Sequence, residues 1–567
     1  MNRVPLPTPP LPPGRPLLVV AGFMGTGKTA AGRAAAELLE LPFVDLDETI
    51  EARAGMPVAH VFAARGEDGF RALERRALDD AARLSGAVVA TGGGAVLDPA
   101  AFARLADGAA VAVLTADPGE LARRLGGGEG RPLLTPDPEA RIRELLAGRA
   151  PAYAAAGEML NTSGRTVEDV AAELVARHRR AAEGPARIEV PTPGGRSTVL
   201  VGAGALEAAA AELPRTLPSA RRAMVVADRA VADTVGEAVA AAVRAAGLAV
   251  ERADLPPGEA GKTLDALRSL WERFLDLGLD RTDVVVVVGG GAALDVAGFA
   301  AATFARGLPL MNVPTTLLAM ADAAVGGKVA IDLAGAKNMV GTFHAARLVA
   351  ADPATLATLP GPAVRHGLAE IVKVALLASP LLLDWLETAP LGEGGLPAAL
   401  AFLVEQAVRI KAAYVAEDPR DAGLRHALNL GHTFAHGIEA ASGYRVPHGE
   451  AVAAGLVAAA RLGEDLGAAP PGTEARLERL LRRLGLPAAP PPDVDARRVR
   501  DAMASDKKRR GGQPVFVLPA PGGAELVEGL DLDRALAALF PQGTRPAGTS
   551  GTGVAAGPHA EREGASR

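Results

Sequence analysis

The sequence predicts an α/β protein in which two α/β units follow one another and a helical region completes the second. First, an apolar strand pattern runs into a glycine-rich turn and then a helix pattern twice, at 17–29 and at 284–295. Second, strand and helix patterns alternate from Ile188 onward, which is typical of an open α/β sheet. Third, the pattern is helical from about Asp352 to Phe540.

Composition limits the classes of protein that need to be considered. A chain of 567 residues is too long to fold around a single hydrophobic core. Its content of 49% hydrophobic and 22% charged residues is typical of globular proteins. A net charge of −6 gives no indication of nucleic-acid binding, and the lack of cysteine rules out a disulfide scaffold. No apolar run is long enough for a membrane span, and the Pro-rich start lacks the apolar core of a signal peptide. We therefore expect a cytoplasmic protein with small-molecule substrates and neither nucleic-acid nor membrane partners.

The first glycine-rich turn carries a phosphate-binding motif. Residues 22–29, GFMGTGKT, match GxxxxGK[ST] between a strand pattern and a helix pattern, which is the context the motif requires. Backbone N–H groups at the start of the helix would cradle phosphates, Lys28 would reach the outer phosphates, and Thr29 would hold Mg²⁺. The alternative is a chance Gly-rich turn, which this context disfavours.

Polar residues that follow the next strands suggest a pocket for the acceptor. Asp45 and Asp47 end a second strand pattern, and Gly92, Gly93 and Gly94 follow a third. Three arginines come from separate segments, namely Arg71, Arg131 and Arg149. Each arginine alone is more simply a surface charge, but the set in this order, together with the phosphate-binding motif, favours a functional role.

At this point residues 17 to about 180 resemble shikimate kinase, although Ala154 stands where many members of that family have Arg. The resemblance implies Mg²⁺ on Thr29 and contacts of ATP with Gly25, Thr26, Gly27, Lys28, Thr29 and Ala30. It implies shikimate contacts at Asp47, Arg71, Gly93, Gly94 and Arg149. Catalytic roles are expected for Lys28, for Asp47 as the group that orients or deprotonates the hydroxyl, and for Arg131 as a lid residue that neutralises phosphoryl charge.

The second glycine turn favours a dinucleotide site. A buried strand, DVVVVVGGG, runs directly into Gly289, Gly290 and Gly291, and Asp295 lies in the helix that follows. Such a turn lets a pyrophosphate approach the backbone closely. A tight turn that serves packing alone remains the alternative, because the GxGxxG spacing is missing.

Four of the nine histidines fall between 426 and 448, and they suggest a divalent metal. His432 and His436 are four apart on one helix face, and His448 opens the next helix. A chain without cysteine must use His and carboxylate ligands, which suits a catalytic zinc. The alternative is packed and surface histidines. Similarly, Glu370 and Lys373 on an apolar helix need either a metal or ligand partner or a salt bridge to each other.

Residues 188 to about 540 resemble 3-dehydroquinate synthase through the motifs GGGAALDVAGF, VPTTLLAMADAAVGGK, GLAEIVK, LNLGHTFAHGIE and HGEAV. The resemblance implies zinc, with cobalt as an alternative, on Glu370, His432 and His448, which leaves His436 near the metal but not bound to it. It implies NAD contacts at Asp228, Glu259, Lys262, Gly290, Gly291, Asp295, Thr315, Thr316, Lys337 and Thr358. Catalytic roles map to Lys328, Lys373, Lys411, Arg425 and His436, and substrate contacts to Arg306, Asp322, Asn338, Asn429 and Lys507. Arg306 would act across a homodimer formed through this half. In the family reaction a seven-carbon keto-acid phosphate loses phosphate and closes to 3-dehydroquinate, and NAD is regenerated each turn.

Together the resemblances imply a P-loop kinase domain with a parallel sheet, a Rossmann-like α/β domain and an all-helical domain. The expected boundaries are a disordered tail at 1–15, the kinase at 16–180, a linker at 181–187, the NAD-binding part at 188–350, the helical metal and substrate part at 351–540, and a disordered tail at 541–567. Two other functions stay open. One is a metal-dependent polyol dehydrogenase in the second half, and the other is a kinase half reduced to a regulatory binding module.

Overall fold

The computed structural model describes residues 1–126, 138–181, 184–334, 336–389, 395–505, 509–510 and 513–541. Arg131, the expected lid residue, and Lys507, an expected substrate contact, lie outside these ranges, as do residues 182–183 of the expected linker and residues 542–567 of the expected C-terminal tail. In the described part of the chain, no helix combines the length and the hydropathy that a membrane crossing requires.

The kinase-like unit is built on a parallel sheet with the strand order β3-β4-β2-β5-β6. Its central residues, including Leu18, Val19 and Val88, are fully buried, because helices cover both faces of a parallel sheet. The elements up to the end of this unit are β1 (Asn2–Pro7), β2 (Leu18–Gly22), α1 (Lys28–Leu39), β3 (Phe43–Asp45), α2 (Leu46–Ala54), α3 (Val58–Ala81), β4 (Val88–Ala90), α4 (Pro99–Ala106), β5 (Ala110–Thr115), α5 (Pro118–Arg124), α6 (Pro138–Ala156), β6 (Glu158–Asn161) and α7 (Val167–Ala181).

The second α/β unit is an open sheet with the order β10-β9-β11-β12-β15-β8-β7, parallel except for the pair β7 and β8. Its elements are β7 (Ala186–Thr192), β8 (Gly195–Val201), α8 (Ala205–Thr216), β9 (Arg222–Asp228), α9 (Glu237–Ala245), β10 (Ala249–Leu255), α10 (Leu264–Asp276), β11 (Val284–Gly289), α11 (Gly291–Thr303), β12 (Leu310–Pro314), β13 (Lys328–Leu333), β14 (Ala336–Phe343) and β15 (Leu348–Ala351). From β9 the chain moves first to one side, to β10, and then to the other, to β11. Ligands bind at such a switch point, outside the carboxyl ends of the strands.

The C-terminal region is helical, and the predicted fold class is confirmed. Its elements are α12 (Gly361–Ala378), α13 (Pro380–Thr388), α14 (Gly395–Glu417), α15 (His432–Ala441), α16 (His448–Asp465), α17 (Thr473–Arg483), α18 (Ala496–Ser505), β16 (Arg509–Arg510), β17 (Gln513–Ala520), β18 (Gly523–Glu528) and α19 (Leu532–Leu539). The hairpin β17–β18 was missed by the sequence analysis. It turns at Gly522, whose φ of 75° is a left-handed conformation that glycine adopts without strain.

The expectation that residues 1–15 form a disordered tail was wrong for their first half. Strand β1 pairs antiparallel with β18, from Asn2 opposite Glu528 to Pro7 opposite Gly523. Two prolines are tolerated because β1 is the edge strand of its sheet, where a missing N–H breaks no ladder on the open side. Leu6 is buried beneath this edge. Composition alone could not reveal a pairing partner more than five hundred residues away.

A buried polar network joins the kinase-like unit to α14. The Glu405 carboxylate accepts hydrogen bonds from Arg15 Nε at 2.6 Å and from Ser85 Oγ at 2.6 Å. Four residues along the helix, Arg409 donates to the carbonyl oxygens of Pro12 and Arg83, both at 2.8 Å. The two units are therefore in direct contact, which the sequence analysis did not anticipate when it placed only a short linker between them.

Candidate functional site

The phosphate-binding loop connects β2 to α1 at the carboxyl edge of the first sheet. Gly25 and Gly27 take φ values of 78° and 90°, a left-handed geometry that a side chain at either position would strain. The first N–H groups of a helix have no acceptor within it, so those of α1 are suited to bind an anion in the loop. Lys28 Nζ donates to Phe23 O at 3.0 Å, so the ammonium group folds over the loop. The loop is thus shaped for an anion.

Thr29 and Asp45 form a site suited to Mg²⁺ beside this loop. Thr29 Oγ1 donates to Asp45 Oδ2 at 2.7 Å. The other oxygen, Asp45 Oδ1, caps α2 by accepting from the backbone N–H of Asp47 at 2.9 Å. A hydroxyl and a carboxylate next to a phosphate loop are the ligand types that nucleotide-bound Mg²⁺ takes from a protein.

The glycine turn after β4 packs directly against the predicted acceptor residues. A Cβ placed on Gly92 would lie 2.8 Å from Asp47 Oδ1, and one on Gly94 would overlap the Arg71 guanidinium group. Arg149 Nη1 donates to Gly93 O at 3.3 Å. The structure therefore brings Asp47, Arg71, Arg149 and the glycine turn together, as the sequence analysis expected.

The electrostatics of this pocket favour a proton acceptor. Burial, supported by the neighbouring Asp45 carboxylate, raises the pKa of Asp47 to about 6. Lys28 works in the opposite direction but does not outweigh burial. A carboxylate of this basicity is ionised at neutral pH and takes up a proton more readily than an exposed one. Arg71 is held by Glu74, whose Oε2 accepts from Nη1 at 2.5 Å.

The second site is a cleft of ≈ 760 Å³ at the switch point of the large sheet. Asp228 ends β9, and Gly289 ends the adjacent β11. A Cβ on Gly289 would lie 2.7 Å from the Ala293 Cβ, so this glycine is required for packing. Gly290 and Gly291, in contrast, line the cleft. The packing interpretation therefore applies to Gly289, whereas Gly290 and Gly291 are accessible to a ligand in the cleft.

The residues expected to contact NAD surround this cleft. Lys262 Nζ lies 2.8 Å from Asp295 Oδ2, and Lys337 Nζ lies 3.2 Å from Glu259 Oε1. Burial raises the pKa of Asp295 to about 6, although the Lys262 ammonium group acts against it. The lining includes, among the predicted NAD contacts, Asp228, Glu259, Lys262, Gly290, Gly291, Asp295, Thr315, Thr316 and Lys337. Thr358 instead ends the short helical turn beside the cleft and donates to Thr355 O at 3.0 Å.

Glu370, His432 and His448 converge from α12, α15 and α16, and His448 also lines the cleft. Glu370 Oε1 lies 3.4 Å from His432 Nε2 and 3.2 Å from His448 Nε2, and the three ligand atoms lie within 4.8 Å of one another. Zinc bonds of ~2.0–2.1 Å in a tetrahedron separate neighbouring ligand atoms by about 3.3 Å. The donor types and their separations therefore fit a divalent cation.

The salt bridge proposed as an alternative for Glu370 also exists. Its second oxygen, Oε2, pairs with the Lys373 ammonium group, and both side chains are almost fully buried. Burial opposes ionisation, but Lys373 and the imidazoles of His432 and His448 outweigh it and hold the pKa of Glu370 well below its usual range. Glu370 can thus remain ionised, with Oε2 paired to Lys373 and Oε1 available to bind a cation.

The two histidines meet because their helices approach closely at glycines. Gly431, with a φ of 73°, precedes α15, and a Cβ there would lie 2.9 Å from the carbonyl carbon of Gly455 in α16. No larger residue fits at this crossing. The glycine of the GHT motif therefore sets the distance between His432 and His448.

Basic side chains lie near the three candidate ligand groups Glu370, His432 and His448. Lys411 Nζ lies 2.8 Å from Asp322 Oδ1, and Asp322 lines the cleft. Burial, with Arg425 and Lys373 nearby, lowers the pKa of Lys411 to about 8. Arg425 donates to Gly326 O at 3.3 Å. Cationic side chains beside the cleft suit an anionic substrate.

Comparison with known proteins identifies both halves. Residues 252–366 and 367–509 match family models described as 3-dehydroquinate synthase N-terminal and C-terminal. The 3-dehydroquinate synthase of Symbiobacterium thermophilum is 44% identical over 335 residues, which are 59% of this chain and 93% of that protein. The chain belongs to the 3-dehydroquinate synthase family. The synthase of Caulobacter vibrioides is 41% identical over 60% of this chain and 94% of its own length. Residues 24–179 match the family model described as shikimate kinase, so the chain is a fused shikimate-pathway enzyme.

Solved structures resemble the synthase half. The 2-epi-5-epi-valiolone synthase of Streptomyces hygroscopicus, with NAD⁺ and Zn²⁺ bound, has a TM-score of 0.53 and 31% identity, and the match covers 57% of this chain and 90% of that one. A 2-deoxy-scyllo-inosose synthase complexed with carbaglucose-6-phosphate, NAD⁺ and Co²⁺ has a TM-score of 0.54 and 27% identity, with coverage of 59% and 92%.

The remaining predicted residues of the synthase half lie in several different surroundings. Lys328 is half-exposed and pairs with Asp421, and Asn338 accepts from Lys262 within the NAD cleft. Asn429 ends the short helical turn that precedes α15. Arg306 lines a second cavity of ≈ 320 Å³ together with Arg281 and Arg347.

Sequence reasoning missed several polar residues of these sites. Glu439 lies 3.4 Å from His448 Nδ1, through its Oε2, and Asp421 pairs with both Lys328 and His426. Glu74 anchors Arg71. A signal existed for Glu439, because positions 432, 436 and 439 share one face of a helix.

Proposed function

We propose that the chain catalyses two reactions. The kinase half transfers a phosphoryl group from ATP to shikimate and yields shikimate 3-phosphate. The synthase half converts 3-deoxy-D-arabino-heptulosonate 7-phosphate to 3-dehydroquinate and phosphate with NAD and zinc. The observation that carries the second proposal is that one continuous cleft is lined both by Gly290 and Gly291 and by His448, one of the three candidate metal ligands.

In the kinase half, the loop before α1 and Lys28 would hold the phosphates of ATP, and Thr29 with Asp45 would hold Mg²⁺. Arg71 and Arg149, which both adjoin the glycine turn, would bind the carboxylate of shikimate. Asp47 would accept the proton of the attacking hydroxyl, since its pKa of about 6 leaves it ionised yet basic. These roles need no group from the synthase half.

In the synthase half, Zn²⁺ held by Glu370, His432 and His448 would act as a Lewis acid on the substrate oxygens. The cleft that His448 lines would hold NAD, and the first backbone N–H groups of α11 would be donors for its pyrophosphate. Lys411, whose pKa is lowered to about 8, can carry a proton to or from the substrate near neutral pH. Arg425 and Lys373 supply positive charge for the carboxylate and phosphate.

A polyol dehydrogenase would use the same cleft and metal but would release NADH. A synthase returns the hydride within each turnover, so phosphate release should occur without net NADH. The test is to incubate the full chain with the heptulosonate phosphate and NAD⁺ and to follow phosphate and NADH absorbance together. Stoichiometric NADH formation without phosphate release would refute the synthase proposal. Shikimate-dependent ADP formation in the same preparation tests the kinase proposal.

We further propose that the chain forms a homodimer through the synthase half. Supporting this, Arg306 lies outside the NAD cleft, in a cavity with Arg281 and Arg347. Light scattering of the purified protein at several concentrations measures the assembly directly. A monomeric mass at all concentrations, with full synthase activity, would contradict the dimer.

A further inference from the structure

Both histidines of the proposed zinc site present the same nitrogen to Glu370. His432 Nε2 and His448 Nε2 lie 3.4 Å and 3.2 Å from Glu370 Oε1. In each ring, Nδ1 faces an acceptor on the other side. For His432 this acceptor is the backbone oxygen of Leu430 at 3.1 Å, and for His448 it is Glu439 Oε2 at 3.4 Å. The two imidazoles are therefore oriented by different kinds of group, a carbonyl and a carboxylate.

A neutral imidazole binds a metal through its unprotonated nitrogen, so the other nitrogen carries hydrogen and needs an acceptor. That acceptor selects the tautomer, fixes the ring angle and makes the bound nitrogen a stronger donor. His432 lies at a tight glycine crossing, and a rigid backbone oxygen orients its ring. His448 is the first residue of α16 and its side chain is one-third exposed, so its ring is less constrained by packing.

Glu439 is well placed to supply this constraint. It lies on α15, seven residues after His432, and it is 6% exposed. Its Oε2 faces His448, while Oε1 lies 4.0 Å from Lys337 Nζ at the rim of the cleft. Lys337 also stacks over the Tyr444 ring at 4.5 Å, which limits the movement of the ammonium group. One oxygen of Glu439 is thus directed at the ligand histidine and the other towards the cleft.

We propose that Glu439 is the positioning residue of the zinc site, which holds His448 in the tautomer and orientation that bind the cation through Nε2. The proposal rests on the proposed function, because it assumes that the three ligand groups bind a divalent cation. It goes beyond that function by assigning a residue that does not touch the metal. Loss of such an outer partner typically weakens metal affinity by roughly 10–100-fold.

The experiment measures zinc affinity of the metal-free full chain by competition with a chromophoric chelator. Glu439→Ala removes the acceptor, whereas Glu439→Gln keeps an oxygen that can still accept from Nδ1–H. We expect affinity to fall by about 10–100-fold in the Ala variant and by less in the Gln variant. The matched control is Glu474→Gln, which removes a carboxylate that pairs with Arg461 of the same helix α16 at 2.6 Å and should leave zinc affinity unchanged.

A second readout separates orientation from general destabilisation. The visible absorption of bound Co²⁺ reports ligand geometry, and we expect it to change in both Glu439 variants and to stay unchanged in Glu474→Gln. Wild-type affinity and an unchanged cobalt spectrum in Glu439→Gln and Glu439→Ala would overturn the proposal. If the wild-type chain itself bound no zinc, the proposed metal centre would fail instead, which is a separate result. If Glu439→Ala did not fold, the Gln variant alone would decide between these outcomes.

Discussion

The buried network around Glu405 should hold the two halves of the chain together. Its carboxylate is fully buried, and it accepts hydrogen bonds from the backbone N–H of Arg15 at 2.7 Å, from Arg15 Nε at 2.6 Å and from Ser85 Oγ at 2.6 Å. Glu405→Ala would leave the Arg15 guanidinium group, on a side chain that is only 20% exposed, without its partner. Removing one member of a buried ion pair typically destabilises by ~3–5 kcal/mol.

The lower end of that range applies here, because water reaches part of the Arg15 side chain. A loss of about 3 kcal/mol corresponds to a more than 100-fold shift in the unfolding equilibrium, at ~1.4 kcal/mol per factor of ten. The matched control is Asp493→Ala. This residue pairs with Arg445 on the surface, where both side chains are more than half exposed, and such pairs contribute about 0–1 kcal/mol.

Urea unfolding followed by tryptophan fluorescence is a suitable assay. Both tryptophans of the chain lie in the synthase half, and the Trp385 ring packs edge-on against Phe402 of α14 at 5.1 Å between centroids. Glu405→Ala should lower the urea midpoint of this signal clearly, whereas Asp493→Ala should leave it nearly unchanged. If the two variants showed equal midpoints, the interface would not stabilise the synthase half and the reasoning would be refuted.

Two further predictions concern single residues of the catalytic sites. Burial raises the pKa of Asp47 from 3.8 to about 6, and the proton acceptor must be ionised to act. The kcat/KM of the kinase reaction should therefore be constant above pH 6 and fall about tenfold per pH unit below it. The pH profiles of the wild type and of Asp47→Asn check this, and a wild-type profile that stays flat down to pH 5 would rule it out. His436→Ala should keep its bound zinc while synthase turnover falls, since His436 lines the cleft but lies outside the ligand set. Metal analysis of the purified variants measures the zinc content. Loss of metal in His436→Ala together with retention in His448→Ala would show that the ligand assignment is wrong.

Local motifs predicted the parts of both sites that depend on residues close in sequence. The loop with Lys28 and Thr29 lies where a strand meets a helix, so its shape follows from a dozen residues. The glycine turn that contacts Asp47 and Arg71 was also expected, because the carboxyl ends of parallel strands share one edge of a sheet. For Glu370, His432 and His448, spacing alone left metal binding undecided, and the family resemblance was needed to select the set.

Features that depend on distant partners could not be predicted. The Pro-rich start has the composition of a disordered tail, and only its pairing with β18 makes it a strand. Glu405 has the sequence context of an ordinary charged helix residue, and only its hydrogen bonds with Arg15 and Ser85 distinguish it. The raised pKa of Asp47 has the same origin, because burial and the nearby Asp45 exist only in the folded chain. Glu439 had a periodic signal, but its contact with His448 depends on how α15 and α16 cross.

Parallel assays of two single variants test the central claim that one chain carries two independent catalytic sites. In Lys28→Ala the shikimate-dependent formation of ADP should be lost, while phosphate release from the heptulosonate phosphate continues at the wild-type rate. In His432→Ala the phosphate release should be lost while the shikimate-dependent formation of ADP continues, and zinc should be absent from the purified protein. If either variant, folded by circular dichroism, lost both activities, the two sites would not be independent and the account would be contradicted.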